Sequence, residues 1–353
     1  MNVAPNNTTE EIDRISFPNL QVDFSENVNY HRVKLPKKVT EHLAEDVGIH
    51  ISDGCMRLLR TAYMIYSGHM IDDFPYYKHR FIPLLKELWG TKRVGWRRNT
   101  RDHTIKVAIY SKELVLFKHR ILGLPLGKKV EITIPKYFLN DLRMTKAILR
   151  GLFDGDGSIT FKSKDGLAHT YPVMSYSSIS KALMRQLHKL LREFGFQIPD
   201  KLYDKKDGTL ILSINGDMNY ERWMNTIGFN NPKHLTKVVL YETLGIVPPE
   251  TDLAERVKLI RGDVKLSEIY PANDLRINEN KIIEKKILQK LAHRTSHMSE
   301  LGREFNVYRQ RVKNALRRLS KMRLVECIQA KGGLKAFIEL HLGASTNLSE
   351  GKQ

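Results

Sequence analysis

LRGLFDGDGSI at 149–159 and DVGIHISDGCM at 46–56 are the stretches whose reading decides the fold. Set in register, Asp156 falls on Asp53 and Gly157 on Gly54. Each reads as a helix that stops at Asp-Gly and runs into β-favouring residues. Small residues recur four apart in both, Gly48 with Ser52 and Gly151 with Gly155, and such positions share a helix face. Glycine inside a helix costs about 1 kcal/mol against alanine, so two such helices need a reason, and close approach of two backbones is one. If the helices pack on these faces, Asp53 and Asp156 arrive side by side at their ends. Gly54 and Gly157 are then expected to take the left-handed turn that closes a helix.

Outward from these stretches the chain repeats itself, in spacing rather than in identity. An amphipathic helix follows in each half, FIPLLKELWG ending at Gly90 and ISKALMRQLHKLLREFG ending at Gly195. Two alternating segments come next, VGWRR with HTIKVAIY and KLYDKK with TLILSIN, each pair reading as a β-ribbon. A further helix ends at Gly123 or Gly228, and a Pro-containing basic segment closes each half, LPLGKKVEITIP at 124–135 and FNNPKHLTK at 229–237. The spacing from Gly54 to Gly90 is 36 residues and from Gly157 to Gly195 it is 38; Gly90 to Gly123 and Gly195 to Gly228 are both 33. Order, element type and spacing agree together, so each half reads α-β-β-α-β-β-α, an α+β unit of ordinary domain size.

Beyond the repeat, VPPE and YPAN punctuate a linker. NKIIEKKILQKLAH, MSELGREFN and YRQRVKNALRRLSKMRLV then read as three helices, and ECIQAKGGLKAFIEL as a strand, a Gly-Gly turn and a strand. That is the winged helix-turn-helix order. The boundaries this implies are an N-terminal arm at 1–35, repeat domains at 36–145 and 146–245, a linker at 246–279, the winged unit at 280–342 and a polar tail at 343–353.

Composition narrows the partner. Among 353 residues, 58 are Lys or Arg and 39 are Asp or Glu, a net charge of +19 with 41% hydrophobic residues. The apolar share supports packed cores and excludes a disordered polycation. The charge favours a polyanion, with nucleic acid the default. No apolar run is long enough for a membrane span, and the first residues lack the pattern of a secretory signal. Two cysteines, Cys55 and Cys327, suit a reducing compartment rather than a disulfide framework or a cysteine-based zinc site. An intracellular site, cytoplasmic or nucleoid-associated, is expected.

Two carboxylates brought together repel as anions. A divalent cation relieves this, and oxygen ligands with water suit Mg²⁺, with Mn²⁺ as a substitute. A site of that kind can hydrolyse a phosphodiester. A calcium loop of the EF-hand type does not fit the second stretch: counted from Asp154, Ile159 stands where glycine is required.

These residues resemble the LAGLIDADG homing endonuclease family, over about 43–245. LRGLFDGDGSI is a close match; in the first stretch His50 and Ile51 depart from the pattern, and the final acid is kept in both. The resemblance implies a single-chain, monomeric, pseudo-twofold enzyme whose two sheets form a saddle over double-stranded DNA. Asp53 and Asp156, with Gly54 and Gly157 beside them, would hold metal beneath the minor groove, and both strands would be cut with short 3′ overhangs. It also implies lysines bordering the pocket, with Lys237 the best match and Lys128 and Lys129 the weaker ones. DNA contacts are expected from Arg93, Trp96, Arg97, Arg98, Arg101 and Lys106 in the first half. In the second they are expected from Lys162, Lys164, Tyr176, Lys201, Lys205 and Lys206. In the C-terminal unit, where 280–341 carries 15 Lys or Arg against 5 acids, Tyr308, Arg309, Gln310, Lys313 and Arg317 belong to a recognition helix and Lys331 and Lys335 to a wing. Two other functions fit the same residues: a non-cleaving transcription regulator on a LAGLIDADG-like scaffold, and an RNA maturase. Intron homing is the biological role the endonuclease reading implies. An intein is not expected, since no His-Asn dipeptide is present to drive asparagine cyclisation.

Overall fold

A computed structural model of the chain describes residues 33–164, 167–270, 279–307, 309–321, 325–330 and 333–337. Residues 1–32 of the arm and the tail at 343–353 lie outside them, as do Tyr308, Lys331 and the side chain of Gln310. The chain forms two compact units, the first reaching Leu240 and including Val247–Asp274, the second made of Tyr241–Ile246 and the chain from Leu275.

In the first half of the larger unit, helix α1 (Glu41–Asp53) is opened by Thr40, whose side chain accepts from the Leu43 amide, and runs directly into β1 (Gly54–Arg57) and β2 (Tyr63–His69). Helix α2 passes through Phe74–Tyr76, a π turn at Tyr77–Phe81 and Ile82–Leu88. Strands β3 (Gly95–Asn99) and β4 (Thr104–Ile109) follow, then α3 (Lys112–Leu116), which continues as a π turn at Phe117–Ile121. The second half repeats this with α4 (Leu142–Gly155), β5 (Ser158–Lys164), β6 (Leu167–Ser178), α5 (Lys181–Glu193), β7 (Tyr203–Asp204), β8 (Leu210–Asn215) and α6 (Asp217–Thr226). The two antiparallel sheets have the same strand order, β1-β2-β4-β3 and β5-β6-β8-β7. The repeated glycines keep step as well. Gly90, Gly123, Gly195 and Gly228 all have positive φ, at 56°, 73°, 79° and 71°, which glycine adopts without a Cβ penalty.

The halves part company where they close. Residues 124–135 are irregular, whereas the matching 229–237 turns into helix α7 (Pro232–Leu244). Pro232 opens that helix, where a missing N–H costs nothing, and the Asn231 side chain accepts from the Lys233 amide at 3.1 Å. The expected linker is also only partly a linker. Helix α8 (Leu253–Arg261) lies inside it, opened by an Asp252–Glu255 capping box and closed by Gly262 at φ 80°. D-x-x-E before an apolar pair is a helix-start signal that the neighbouring prolines obscure. A short helix, α9 (Leu266–Ile269), follows.

The smaller unit has α10 (Glu279–His293), a two-residue strand β9 (Ser296–His297), α11 (Met298–Glu304), α12 (Arg309–Lys321) and the antiparallel pair β10 (Glu326–Ala330) and β11 (Gly333–Phe337). Strand β9 joins the sheet beside β11. Its core contains Ile283, Ile287, Leu291, Leu301, Val312, Leu316 and Leu319, the stripes expected of three amphipathic helices. Among the described residues no helix is long and apolar enough to cross a membrane.

Candidate active site

Helices α1 and α4 pack on their small-residue faces. A Cβ on Gly48 would run into the carbonyl oxygen of Ile148, and one on Gly151 into that of Glu45. At the next turn a Cβ on Gly155 would sit 2.5 Å from the Ser52 Cβ. The Ser52 hydroxyl donates instead to the Leu152 carbonyl across the pair, at 2.9 Å. This brings the helix ends together: Asp53 ends α1, Asp156 caps α4, and the Asp53 Oδ2 lies 3.2 Å from the position a Gly155 Cβ would take.

Gly54 and Gly157 do not take the left-handed turn. Gly54 has φ −83° and ψ 150°, and Gly157 is absent from the positive-φ glycines. They are glycines for room. A Cβ at Gly54 would lie 2.5 Å from the His50 Nδ1, and one at Gly157 2.5 Å from the Phe153 Cα. Each strand leaves its helix so sharply that it folds back against the preceding turn.

The pocket is crowded with charge. The Asp53 carboxyl is pushed up to about 8, first by burial and then by the negative charges of Asp156 and Asp73; the Lys233 ammonium and a hydrogen bond from Tyr77 oppose this. The Tyr77 hydroxyl donates to Asp53 Oδ2 at 3.1 Å. Solvent reaches Asp156, yet the protein around its carboxyl raises it too, against the pull of Lys129 and Lys233. Asp156 opens onto a groove of about 340 Å³ that Ser52, Lys128, Lys129, Tyr176 and Ser178 also line.

Two lysines close the helix ends. The Lys129 Nζ donates to the carbonyls of His50 at 3.2 Å, Ile51 at 2.7 Å and Ser52. The Lys233 Nζ donates to the Gly155 carbonyl at 2.9 Å and pairs with Asp73 at 2.9 Å. A cation at a helix C-terminus meets the negative end of the dipole, so both are held by the ends that deliver the aspartates. The Lys237 ammonium donates to the Ile159 carbonyl at 3.1 Å rather than to a helix end, and burial followed by the nearby Arg256 pushes it down to about 8. Lys233 and Lys237 share one face of α7, a turn apart, so the local pattern did not separate them. The repeat offset is nearer for Lys233: Lys129 follows Gly123 by six residues, Lys233 follows Gly228 by five and Lys237 by nine.

Asp73 and Asp154 also escaped the sequence reading. Asp73 is 5% exposed. It accepts from the His69 amide at 2.8 Å and from the Asn231 side chain at 2.8 Å; an Asp-Asp-Phe-Pro stretch between two elements carried no stronger signal than a helix start. Asp154, fully buried and pushed up to about 7 by burial, accepts from the Asn230 and Asn231 amides at 3.0 Å. Its work is to fasten the segment that carries Lys233.

The donor set suits a hard cation that keeps water. Among the described residues no group of three His, Cys, Asp or Glu side chains is arranged to hold a metal ion. A cation at Asp53 and Asp156 would have two protein carboxylates and would take water for the rest of its shell, a set that Mg²⁺ accepts.

On the first sheet, Arg97 and Lys106 are register partners, and Ser67 stands opposite Lys106 on the other side. Trp96 and Arg98 instead pair with Val107 and Ile105, whose side chains are core. They therefore lie on the sheet's other face, where the Arg98 guanidinium stacks 3.6 Å from the Phe74 ring. Arg93 and Arg101 are exposed. On the second sheet, the outer face holds Ser158, Thr160, Lys162, Ser175, Ser177 and Ser213, because Ile159, Phe161, Met174 and Tyr176 turn inward. Tyr176 is thus a core residue at 2% exposure rather than a contact residue. Lys164 lies over the Tyr171 ring at 4.2 Å, and Lys201, Lys205 and Lys206 are exposed around β7. In the smaller unit Arg309 and Arg317 are exposed, and Lys313 and Lys335 half-buried.

A profile of the LAGLIDADG-like domain family matches residues 144–228. No curated protein sequence matches it. Among solved structures, mesophilic variants of the homing endonuclease I-DmoI are similar at 17% identity, with a TM-score of 0.41, covering 53% of this chain and 95% of that one. I-SmaMI bound to an uncleaved DNA target in the presence of calcium ions is similar at 11% identity and TM-score 0.38, over 64% and 97%. Full-length DUF199/WhiA from Thermatoga maritima is similar at 15% and 0.37, over 80% and 90%.

Proposed function

We propose that the protein is a metal-dependent, site-specific double-strand DNA endonuclease that acts as a pseudo-twofold monomer, with its C-terminal unit serving as a winged-helix DNA clamp. One observation carries this reading. Two helices from the two halves of a duplicated scaffold end beside each other, with Asp53 and Asp156 at their ends, and each helix end is bordered by a lysine. The basic surface supplies affinity for phosphate, largely independent of sequence. A divalent ion, when bound, supplies Lewis-acid activation of phosphate and water. The chain does the rest. Asp53 and Asp156 hold the ion, Tyr77 fixes the Asp53 carboxyl, and Lys129 and Lys233 offset the charge that develops on the phosphate. Arg97 and Lys106 on the first sheet and Lys162 on the second face the duplex.

A second reading, a DNA-binding regulator that does not cut, is favoured by a specific feature. The carbonyls at both helix ends are already occupied by ammonium groups, and an Asp53 carboxyl raised to about 8 can stay protonated at neutral pH. Such a pocket limits its own negative charge without a cation. Cleavage selection on a randomised duplex library with Mg²⁺ or Mn²⁺, followed by sequencing of the ends, separates the two. The endonuclease reading expects one long recognition site and loss of cutting in Asp53→Asn and Asp156→Asn. A protein that enriches a bound sequence yet leaves every duplex intact is the regulator. Tighter binding to intron RNA than to duplex at one fixed salt concentration would instead point to a maturase.

A further inference from the structure

The segments that carry the two helix-end lysines are held by a reciprocal clasp. Asp73 is the N-cap residue of α2 in the first half, and Ser180 is the N-cap residue of α5 in the second. Each reaches across to the closing segment of the other half. Asp73 accepts from the Asn231 side chain at 2.8 Å and pairs with the Lys233 Nζ at 2.9 Å. Ser180, fully buried, accepts from the Ile132 amide at 3.1 Å and donates to the Ile132 carbonyl at 2.8 Å; Gln186, farther along the same helix, does the same for Ile134, at 2.7 and 3.1 Å. The clasps match in place and differ in charge. Lys233 has a carboxylate in direct contact. Lys129 hydrogen-bonds to backbone carbonyls and feels the Asp156 and Asp53 carboxylates through space, but its side of the clasp is a neutral hydroxyl.

We propose that Asp73 is a positioning residue that makes the two half-sites unequal: it holds and neutralises Lys233, so the strand served by Lys129 is cut first and the strand served by Lys233 second. This rests on the endonuclease reading. Both ammonium groups feel the aspartate pair, but Lys233 carries a third carboxylate in direct contact, which offsets the field it can offer a phosphate. A nicked duplex should therefore accumulate before the double-strand break.

The test uses the full chain and the duplex recovered from the library selection, labelled on each strand in turn. The wild type is expected to cut one strand at least fivefold faster than the other. Lys129→Met should abolish the faster cut. Asp73→Asn, which keeps the side-chain shape, should speed the slower cut so that the ratio falls toward one, and Asp73→Glu should restore the inequality. A metal-free readout runs beside it. Lysine-directed labelling at one fixed pH, read by peptide mass spectrometry, should rise severalfold at Lys233 in Asp73→Asn and stay constant at Lys129. Equal strand rates in the wild type, an equal slowing of both strands in Asp73→Asn, or unchanged labelling of Lys233 overturns the proposal and leaves the endonuclease reading standing. No cutting of any duplex by the wild type overturns both.

Discussion

Asp53 is held against its own ionisation. Burial and two neighbouring carboxylates lift it to about 8, so the folded chain keeps a proton that the unfolded chain releases near pH 4. The folded state binds more protons over that window, and stability falls as pH rises from about 4 to about 8. In metal-free buffer, Asp53→Asn should therefore melt higher than the wild type at pH 8, and the gap should close toward pH 5. Each kcal/mol is worth about 2–4 °C in a domain of this size. Mg²⁺ should raise the melting temperature of the wild type and not of Asp53→Asn; a shift of equal size in both would remove Asp53 from the ion's shell. The aspartate pair was legible in the sequence because two Asp-Gly stretches fell into register. Asp73 was not, because its role arises only when a residue from one half meets a lysine 160 positions later.

Elements explain why the glycines cannot change. Alanine at Gly151 would force its Cβ onto the Glu45 carbonyl, and backbone cannot yield as a flexible side chain can. Gly151→Ala should cost about 1–3 kcal/mol and reduce metal and DNA binding together, as read by denaturant melts and titration. The first half also carries a buried polar group. Lys118 pairs with Asp46 at 2.6 Å and donates to the Tyr66 hydroxyl at 2.8 Å, and both charged side chains are fully buried. In the register of the repeat, Asp46 corresponds to Leu149 and Lys118 to Trp223, two apolar core residues of the second half. Lys118→Met alone should cost about 3–5 kcal/mol by stranding the carboxylate, whereas Asp46→Leu with Lys118→Met should recover most of it. A double variant no more stable than the single one would show that the pair does more than satisfy itself. Sheet faces give a further test. Arg97→Ala and Lys106→Ala should each reduce the salt dependence of duplex binding by about one unit of slope. Arg98→Ala, on the opposite face, should leave that slope unchanged.

At the scale of the whole molecule, the duplicated α-β-β-α-β-β-α order was readable because glycine punctuation survives divergence better than identity does. Four glycines hold left-handed backbone at matching places, where other residues are strained. What diverged was the closing segment, an irregular stretch in one half and a helix in the other, so spacing alone does not align Lys233 or Lys237 with Lys129. Helix α8 was hidden because prolines on either side outweighed a two-residue capping signal.

The clasp also limits how the gene can be rearranged. Ser180 and Gln186 grip 132–134, and Asp73 grips 231–233. Cutting the polypeptide between the repeats would give two fragments, each lacking the anchor for its own lysine-bearing segment. Reassociated in one tube, such fragments should regain the pocket only as a heterodimer. A homodimer of the first fragment would set Asp73 against an irregular loop and leave the segment after Lys129 without Ser180 and Gln186 to grip it.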